Sequence, residues 1–336
     1  MNPFVSSKAL FALSLASLIV TTYADPVRLE FTKSGNFWGT SGNWKGDGTA
    51  WKDGSIAILN VQNSQLDNGK VFSAYGIEVT ETTAANCKIY NKGGLSIGAG
   101  GISMTPSATG TGTTGNRLML WMGGDLSLLE SQTWKCTSTT RTGIFYVGPT
   151  SSDVTTVILP PKSFSCVQDG ILSLENVDFV LNVQGNFAGA SVTADARSVI
   201  EISSESNAML NADTIELNGA QLKLNGNKDV AGDGQYAVAE TVSLSNGGMA
   251  IGAGGVFDVE TVQVSGTGNA ISGTYATVPS FALSGSGALE TATDITVTSL
   301  DAYTGTAITI SAGILFLPDM IDWPNGLVVT TTGTGV

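Results

Sequence analysis

GGLSIGAGGIS, residues 93–103, returns 154 positions later as GGMAIGAGGVF, residues 247–257, with seven of eleven positions identical. Both copies share the pattern GG-x-x-IGAGG. Each sets single apolar residues, Leu95 and Ile97 in the first and Met249 and Ile251 in the second, in alternation with small ones before a glycine turn. Such alternation is what a strand with one buried face requires. Neither copy holds enough apolar surface to close a core alone, so units of this kind must stack on neighbours. The expected fold is all-β: a single-stranded parallel β-helix, or β-solenoid, right-handed, with a capped N-terminal end.

Short period-2 runs extend this reading from about residue 165 onward: Ile171–Leu174, Phe179–Val183, Ile200–Ile202, Thr214–Leu217, Leu222–Leu224, Val242–Leu244, Val262–Val264, Ile295–Val297 and Ile308–Ile310. Between them sit Asn-Gly, Gly-Asn, Gly-Gly and Asp-Gly pairs, which accept the positive φ of tight turns. Hairpins of an antiparallel sandwich would use longer strands and a more aromatic interior, so stacked coils are favoured. A coil of roughly 20 to 25 residues gives about 11 to 14 coils and a rod on the order of 50 to 65 Å long at the usual strand spacing. Residues 61–336 are assigned to these coils, with an irregular, looped section near 105–165 that holds a Gly/Thr tract, Trp121, Trp134 and Pro160-Pro161. A proline pair cannot sit inside a paired central strand.

The first 24 residues have the plan of a signal peptide, with Lys8, the apolar run Ala9 to Val20, and Thr22-Tyr23-Ala24 before Asp25. Export is expected, to the cell surface, the medium or the periplasm, with no membrane insertion after cleavage. Loss of Lys8 leaves 14 basic residues against 28 acidic, a net charge of −14. An acidic surface without a basic stripe repels phosphate, so nucleic acid is not an expected partner. Cys87, Cys136 and Cys166 allow at most one internal bridge, and Cys136 to Cys166 would be open to it if their segments are neighbours.

Residues 25–60 form a tryptophan-rich entrance. Within it FTKSGNFWGTSGNWKGDGTAWKDGSIAIL, residues 31–59, places Trp38, Trp44 and Trp51 among glycine turns ahead of the apolar strand Ile56 to Leu59. This resembles the opening of the autotransporter-associated β-strand repeat, also called the passenger-associated transport repeat. That family sets G-x-W, N-W and W-x-x-G-x-x-A before glycine-rich coils; Gly35 to Trp38, Asn43-Trp44 and Trp51 to Ala57 follow the same order. The resemblance implies a surface-exposed or secreted β-helical passenger, in some cases adhesive. The last 60 residues show no series of alternating ten-residue strands, so no translocating barrel is expected in this sequence. Another system would then export the chain, or it stays periplasmic, or the sequence is part of a longer polypeptide.

Two roles suit the three tryptophans. Exposed indoles would stack on sugar rings; buried ones would cap the end of the coil stack and cover an aggregation-prone edge. The cap is the leading expectation, and Pro318, Trp323 and Pro324 are expected to close the far end in the same way.

The chain has no histidine, which removes Ser-His-Asp and Cys-His systems and histidine zinc sites. No Walker loop, nucleophile elbow or dinucleotide fingerprint stands in a suitable context. Among the carboxylates, Arg197 near Asp195 and Glu201 is the nearest hint of lyase or glycosidase chemistry; solvated strand charges are the plainer reading. Asn225 to Gly234 begins like a calcium loop but has Val230 and Tyr236 where a glycine and a glutamate are needed. No catalytic residue, metal or cofactor is therefore assigned. The expected function is that of a non-catalytic exported β-solenoid with a structural or adhesive surface role, its partner an extracellular glycan or cell-surface component. The rival expectation is a carbohydrate-binding or polysaccharide-degrading protein on the same scaffold.

Overall fold

A computed structural model of the chain describes residues 25–33, 36–60, 63–80, 86–91, 93–105, 117–122, 125–138, 142–147, 164–166, 169–181, 186–202, 209–224, 236–252, 255–274, 278–317 and 323–335. The leader, the Gly/Thr tract, the proline pair, the loop Asn225 to Gly234 and Pro318 lie outside the described residues. Within them every regular element is a strand, and the strands form one 16-stranded and one 13-stranded sheet.

Successive strands alternate between the two sheets. Val199–Ile202 belongs to the smaller sheet, Met209–Asn218 to the larger, Gln221–Leu224 to the smaller, Tyr236–Ser245 to the larger and Gly248–Ile251 to the smaller again. Each pairs in parallel with the strand two places on. Ile200 stands beside Leu222, Leu222 beside Met249 and Met249 beside Ile271, a column of apolar side chains that are at most 2% exposed. The larger sheet carries matching columns: Ile215, Val242, Val262 and Leu283 in one, Leu217, Leu244 and Val264 in another. Burying each such side chain contributes about 1.5–3 kcal/mol, and like residues recur because each column must be filled at the same depth.

The long strands of the larger sheet are bent. In Met209–Asn218 the side chains of Leu210 and Ala212 point inward, Asp213 and Thr214 both point out, and Ile215 and Leu217 point inward again. The neighbouring ladders pass from Ala212 to Thr214 without pairing Asp213. That one-residue slip turns a corner without ending the strand. Sequence periodicity locates only the second half, Thr214 to Leu217, because small residues such as Ala212 fill the inward positions of the first.

Backbone of positive φ follows these strands at a second corner: Asn176 (56°), Gly219 (76°), Asn246 (55°) and Gly266 (73°). Asparagine is among the few non-glycine residues that adopt this region readily. The Asn246 carboxamide also accepts hydrogen bonds from the amides of Thr267 (3.1 Å) and Gly268 (3.2 Å), tying one corner to the next.

The two GG-x-x-IGAGG copies are not equivalent in space. The first lies within the single strand Gly94–Thr105 of the larger sheet, where residues 98–100 stand against Tyr75 alone and make a bulged corner. The second leaves the smaller sheet at Ile251 and enters the larger at Val256. Leu95, Ile97, Met249 and Ile251 are buried in both settings.

Strand partners lie 20 positions apart from Tyr236 to Val256 but 40 apart from Gln132 to Leu172, beyond the expected 20 to 25. Sixteen of those 40 positions fall in 148–163, outside the described residues. The condition for a Cys136 to Cys166 bridge, that their segments be neighbours, is not met. Cys166 stands beside Leu128, itself beside Ile97, whereas Cys136 stands beside Met104. Ile97 and Met104 lie on opposite sides of the bulge in one strand, and no disulfide forms among the described residues. Trp323, named with Pro318 and Pro324 for the far end, is 54% exposed.

Candidate functional site

The glycine turns of the entrance bring Trp38, Trp44 and Trp51 together. The strand Trp44–Gly46 runs antiparallel to Arg28–Phe31, the one antiparallel pairing described, and sets Trp44 beside Phe31. Ring centroids lie 5.2 Å apart for Trp38 and Trp44, 4.9 Å for Trp38 and Trp51, and 4.8 Å for Trp44 and Trp51. Phe31 packs edge-on to Trp44 at 4.9 Å and Phe72 to Trp38 at 5.9 Å, geometries that suit the ring quadrupoles.

Trp38 and Trp44 are 0% and 2% exposed, so neither offers a ring face to a ligand. Trp51 is half-buried against the same cluster. Its indole N–H donates to Asp53 at 2.8 Å, and the same Asp53 oxygen accepts the amide of Ser73 at 3.0 Å. Asn43, also buried, donates its side-chain amide to the carbonyl of Phe37 at 2.9 Å. Asn43 belongs to the Asn-Trp pair of the motif; Phe31 and Phe72 escaped the reading of the entrance as a tryptophan cluster, and the apolar alternation of Leu29 and Phe31 was the signal available.

Around this cluster the outer face carries ordered charges. Arg28 makes a two-pronged contact with Glu78, one arm at 2.7 Å, and that hydrogen bond holds the guanidinium above its usual pKa. Lys45 reaches Glu30 at 2.9 Å. These pairs are solvent-exposed, where such contacts contribute little.

A second aromatic cluster surrounds Trp134, which is fully buried in the section expected to be irregular. Phe145 and Phe179 pack on it at 5.1 and 5.7 Å. Its N–H donates to Gln132 at 2.9 Å, and Gln132 donates to the carbonyl of Ile97 at 3.1 Å. The polar relay satisfies both side chains inside the core.

The carboxylate hint resolves into a turn. One oxygen of Asp195 accepts from the amide of Asn176 (2.9 Å), the hydroxyl of Ser198 (2.7 Å) and the amide of Arg197 (3.3 Å). Asp195 thus closes its own corner and braces the neighbouring one. Among the described residues no group of three or more Cys, Asp and Glu side chains is placed to hold a metal ion. Cys87 is buried, and that burial pushes its thiol up to about 12.

No protein-family model, curated protein or solved structure matches this chain.

Proposed function

We propose that the chain is a single-stranded parallel β-helix, exported from its cell, that serves as a non-catalytic rod with a structural or adhesive surface. The observation that carries this reading is the continuity of the larger sheet, which runs in parallel steps from Arg28–Phe31 to Leu315–Phe316, with the smaller sheet beside it to Val328–Thr331. At about 4.8 Å per strand, thirteen strands make a rod roughly 60 Å long.

One outward row of the larger sheet suits a presenting role, although the corner of the same strands exposes Asp213, Glu240 and Glu260. Adjacent outward positions on the larger sheet read Thr193, Glu216, Ser243, Gln263 and Ser284, a row of short polar groups with a single charge. The interior position of Trp38 and Trp44 supports the cap over the sugar platform. Export rests on the leader motif around Lys8 and Ala9 to Val20, and the passenger-like character rests on the order of Gly35, Trp38, Asn43, Trp44 and Trp51. A glycan or cell-surface component is the partner this reading implies.

Small-angle scattering and a polysaccharide panel, run with and without calcium on the protein expressed from its full-length sequence, test the proposal together. The expected result is a rod-shaped particle that leaves every polymer at its original length, whether or not it binds one. Shortening of a polysaccharide, lost on Asp195→Ala or Arg197→Ala, would overturn the reading in favour of a lyase or hydrolase.

A further inference from the structure

Five Asn-Gly pairs occur in the chain, beginning at Asn68, Asn218, Asn225, Asn246 and Asn325. Asn225 lies outside the described residues and Asn325 stands close to a stretch outside them, so the comparison is among the other three. Asn68, Asn218 and Asn246 are all exposed to solvent. They differ in how the fold holds the two groups that react when such a pair deamidates, the asparagine carboxamide and the glycine backbone N–H. Glycine favours that reaction because no Cβ shields its nitrogen.

Two of the pairs are tied into the coil stack. The Asn246 carboxamide oxygen accepts from the amides of Thr267 and Gly268, and the amide of Gly247, a buried residue, donates to the carboxamide oxygen of Asn269 at 3.4 Å. Both reacting groups are thus engaged with the next coil. Asn218 ends a ladder strand opposite Ser245, and the amide of Gly219 donates to the carbonyl of Ser245 at 2.8 Å. Here the attacking nitrogen is the engaged group.

Asn68 is placed otherwise. It and Gly69 are the central residues of a turn closed by the amide of Lys70 donating to the carbonyl of Asp67 at 3.2 Å, and Gly69 has φ of 71°, as a type II turn requires. The flanks are anchored: Asp67 accepts from the amide of Gly39 at 2.8 Å and from the Lys70 ammonium at 3.1 Å. The centre is not. Among the described residues neither the Asn68 carboxamide nor the Gly69 amide has a hydrogen-bond partner, and the space beside Gly69 is open.

We propose that Asn68 is a site of spontaneous covalent modification, and that the fold directs deamidation to it while withholding it from Asn218 and Asn246. The Gly69 nitrogen, its proton lost to hydroxide, attacks Cγ of Asn68. The new N–C bond closes a cyclic imide as the Cγ–Nδ2 bond breaks and the side-chain nitrogen leaves as ammonia. Water then opens the imide on one side or the other, giving aspartate or isoaspartate; in sum, water replaces ammonia and a carboxylate appears, with no change of oxidation state. For the nitrogen to swing toward Cγ the turn gives up its one closing hydrogen bond, whereas the other two sites must also release contacts to the next coil. Either product sets a negative charge beside Asp67, the residue that anchors Gly39 next to the buried Trp38.

Peptide mapping by mass spectrometry, on the protein expressed from its full-length sequence and aged in warm neutral buffer, tests this with isoaspartate scored separately from aspartate. Asn68 should convert about tenfold or more faster than Asn218 and Asn246, because each further hydrogen bond must open before those sites react. Both products should appear at Asn68. In denaturant the three rates should converge, since all three asparagines precede glycine. Gly69→Ala should slow conversion at Asn68 and leave the other two sites unchanged; the folded and denatured comparison uses the unaltered protein and stands even if this variant misfolds. Conversion at Asn68 no faster than at Asn218 or Asn246, the same separation in denaturant, aspartate without isoaspartate, or indifference to Gly69→Ala would each overturn the proposal.

Discussion

The indole N–H of Trp44 donates to the backbone carbonyl of Trp38 across 2.7 Å in a fully buried contact. The indole N–H of Trp38, equally buried, has no hydrogen-bond partner among the described residues. Two tryptophans in one cluster therefore differ in what their nitrogens contribute, and the difference is measurable. Trp44→Phe should cost about 1–3 kcal/mol beyond the change in packing, because it strands the carbonyl of Trp38. Trp38→Phe removes a donor that was already unsatisfied and should cost less by about 1 kcal/mol or more. Equilibrium denaturation of both variants checks this; equal losses would mean that packing alone decides.

Asp195 is expected to matter for stability. Asp195→Ala removes the acceptor shared by Asn176 and Ser198 and should cost about 2 kcal/mol. Asp195→Asn keeps an oxygen at that place and should recover most of the loss. Denaturation midpoints of the pair distinguish a turn brace from a merely solvated charge, for which both substitutions would be neutral.

Glycines at corners should separate into two groups. Gly101 has φ of +57°, and a Cβ there would collide with the carbonyl of Thr133 on the neighbouring strand. Gly54 has φ of +80° with open space around it. Gly54→Ala should cost about 1–2 kcal/mol for the left-handed backbone, and Gly101→Ala about 3 kcal/mol or more because the ladder must also move. Thermal unfolding of the two variants provides the comparison.

Alkaline pH should loosen the fold through Cys87. Its thiol is raised by burial from 9.0 to about 12, so the folded form keeps a proton that the unfolded chain releases. Below pH 9 both states hold the proton and stability is unaffected by this group. From about pH 9 toward 12 the unfolded chain is favoured by about 1.4 kcal/mol per pH unit. Tyr303, raised from 10.0 by burial, adds in the same direction at higher pH. Cys87→Ala should flatten the stability curve between pH 9 and 10, where the tyrosine contributes least; an unchanged slope would refute the assignment.

The in-and-out alternation was legible in the residues, since side-chain direction along a strand is a local property. Ile200 and Ile202, Leu222 and Leu224, Val242 and Leu244, and Ile308 and Ile310 all point inward as their spacing demands. The turns at Gly219 and Asn246, both in Asn-Gly pairs, were legible for the same reason, because a positive φ selects its residue locally. The first halves of the bent strands escaped notice, since Ala212 and Ala239 fill the interior without an apolar signal and the period slips by one at each corner.

Sequence alone thus determined the class of structure, all-β with one face of each strand buried, and the composition of its corners. The partner of each strand was decided only in three dimensions. Partnership depends on how much chain separates two paired strands, 20 residues from Tyr236 to Val256 and 40 from Gln132 to Leu172, and on which side of a bend a residue falls. The first IGAGG lies inside one strand of the larger sheet, whereas after the second copy's Ile251 the chain next joins a sheet at Val256, in the other sheet. Cys136 and Cys166 were separated, and Trp38, Trp44, Phe31 and Phe72 were brought together, by the same cause: contacts between distant residues are set by which strands pair in the two sheets, which no short stretch of sequence encodes.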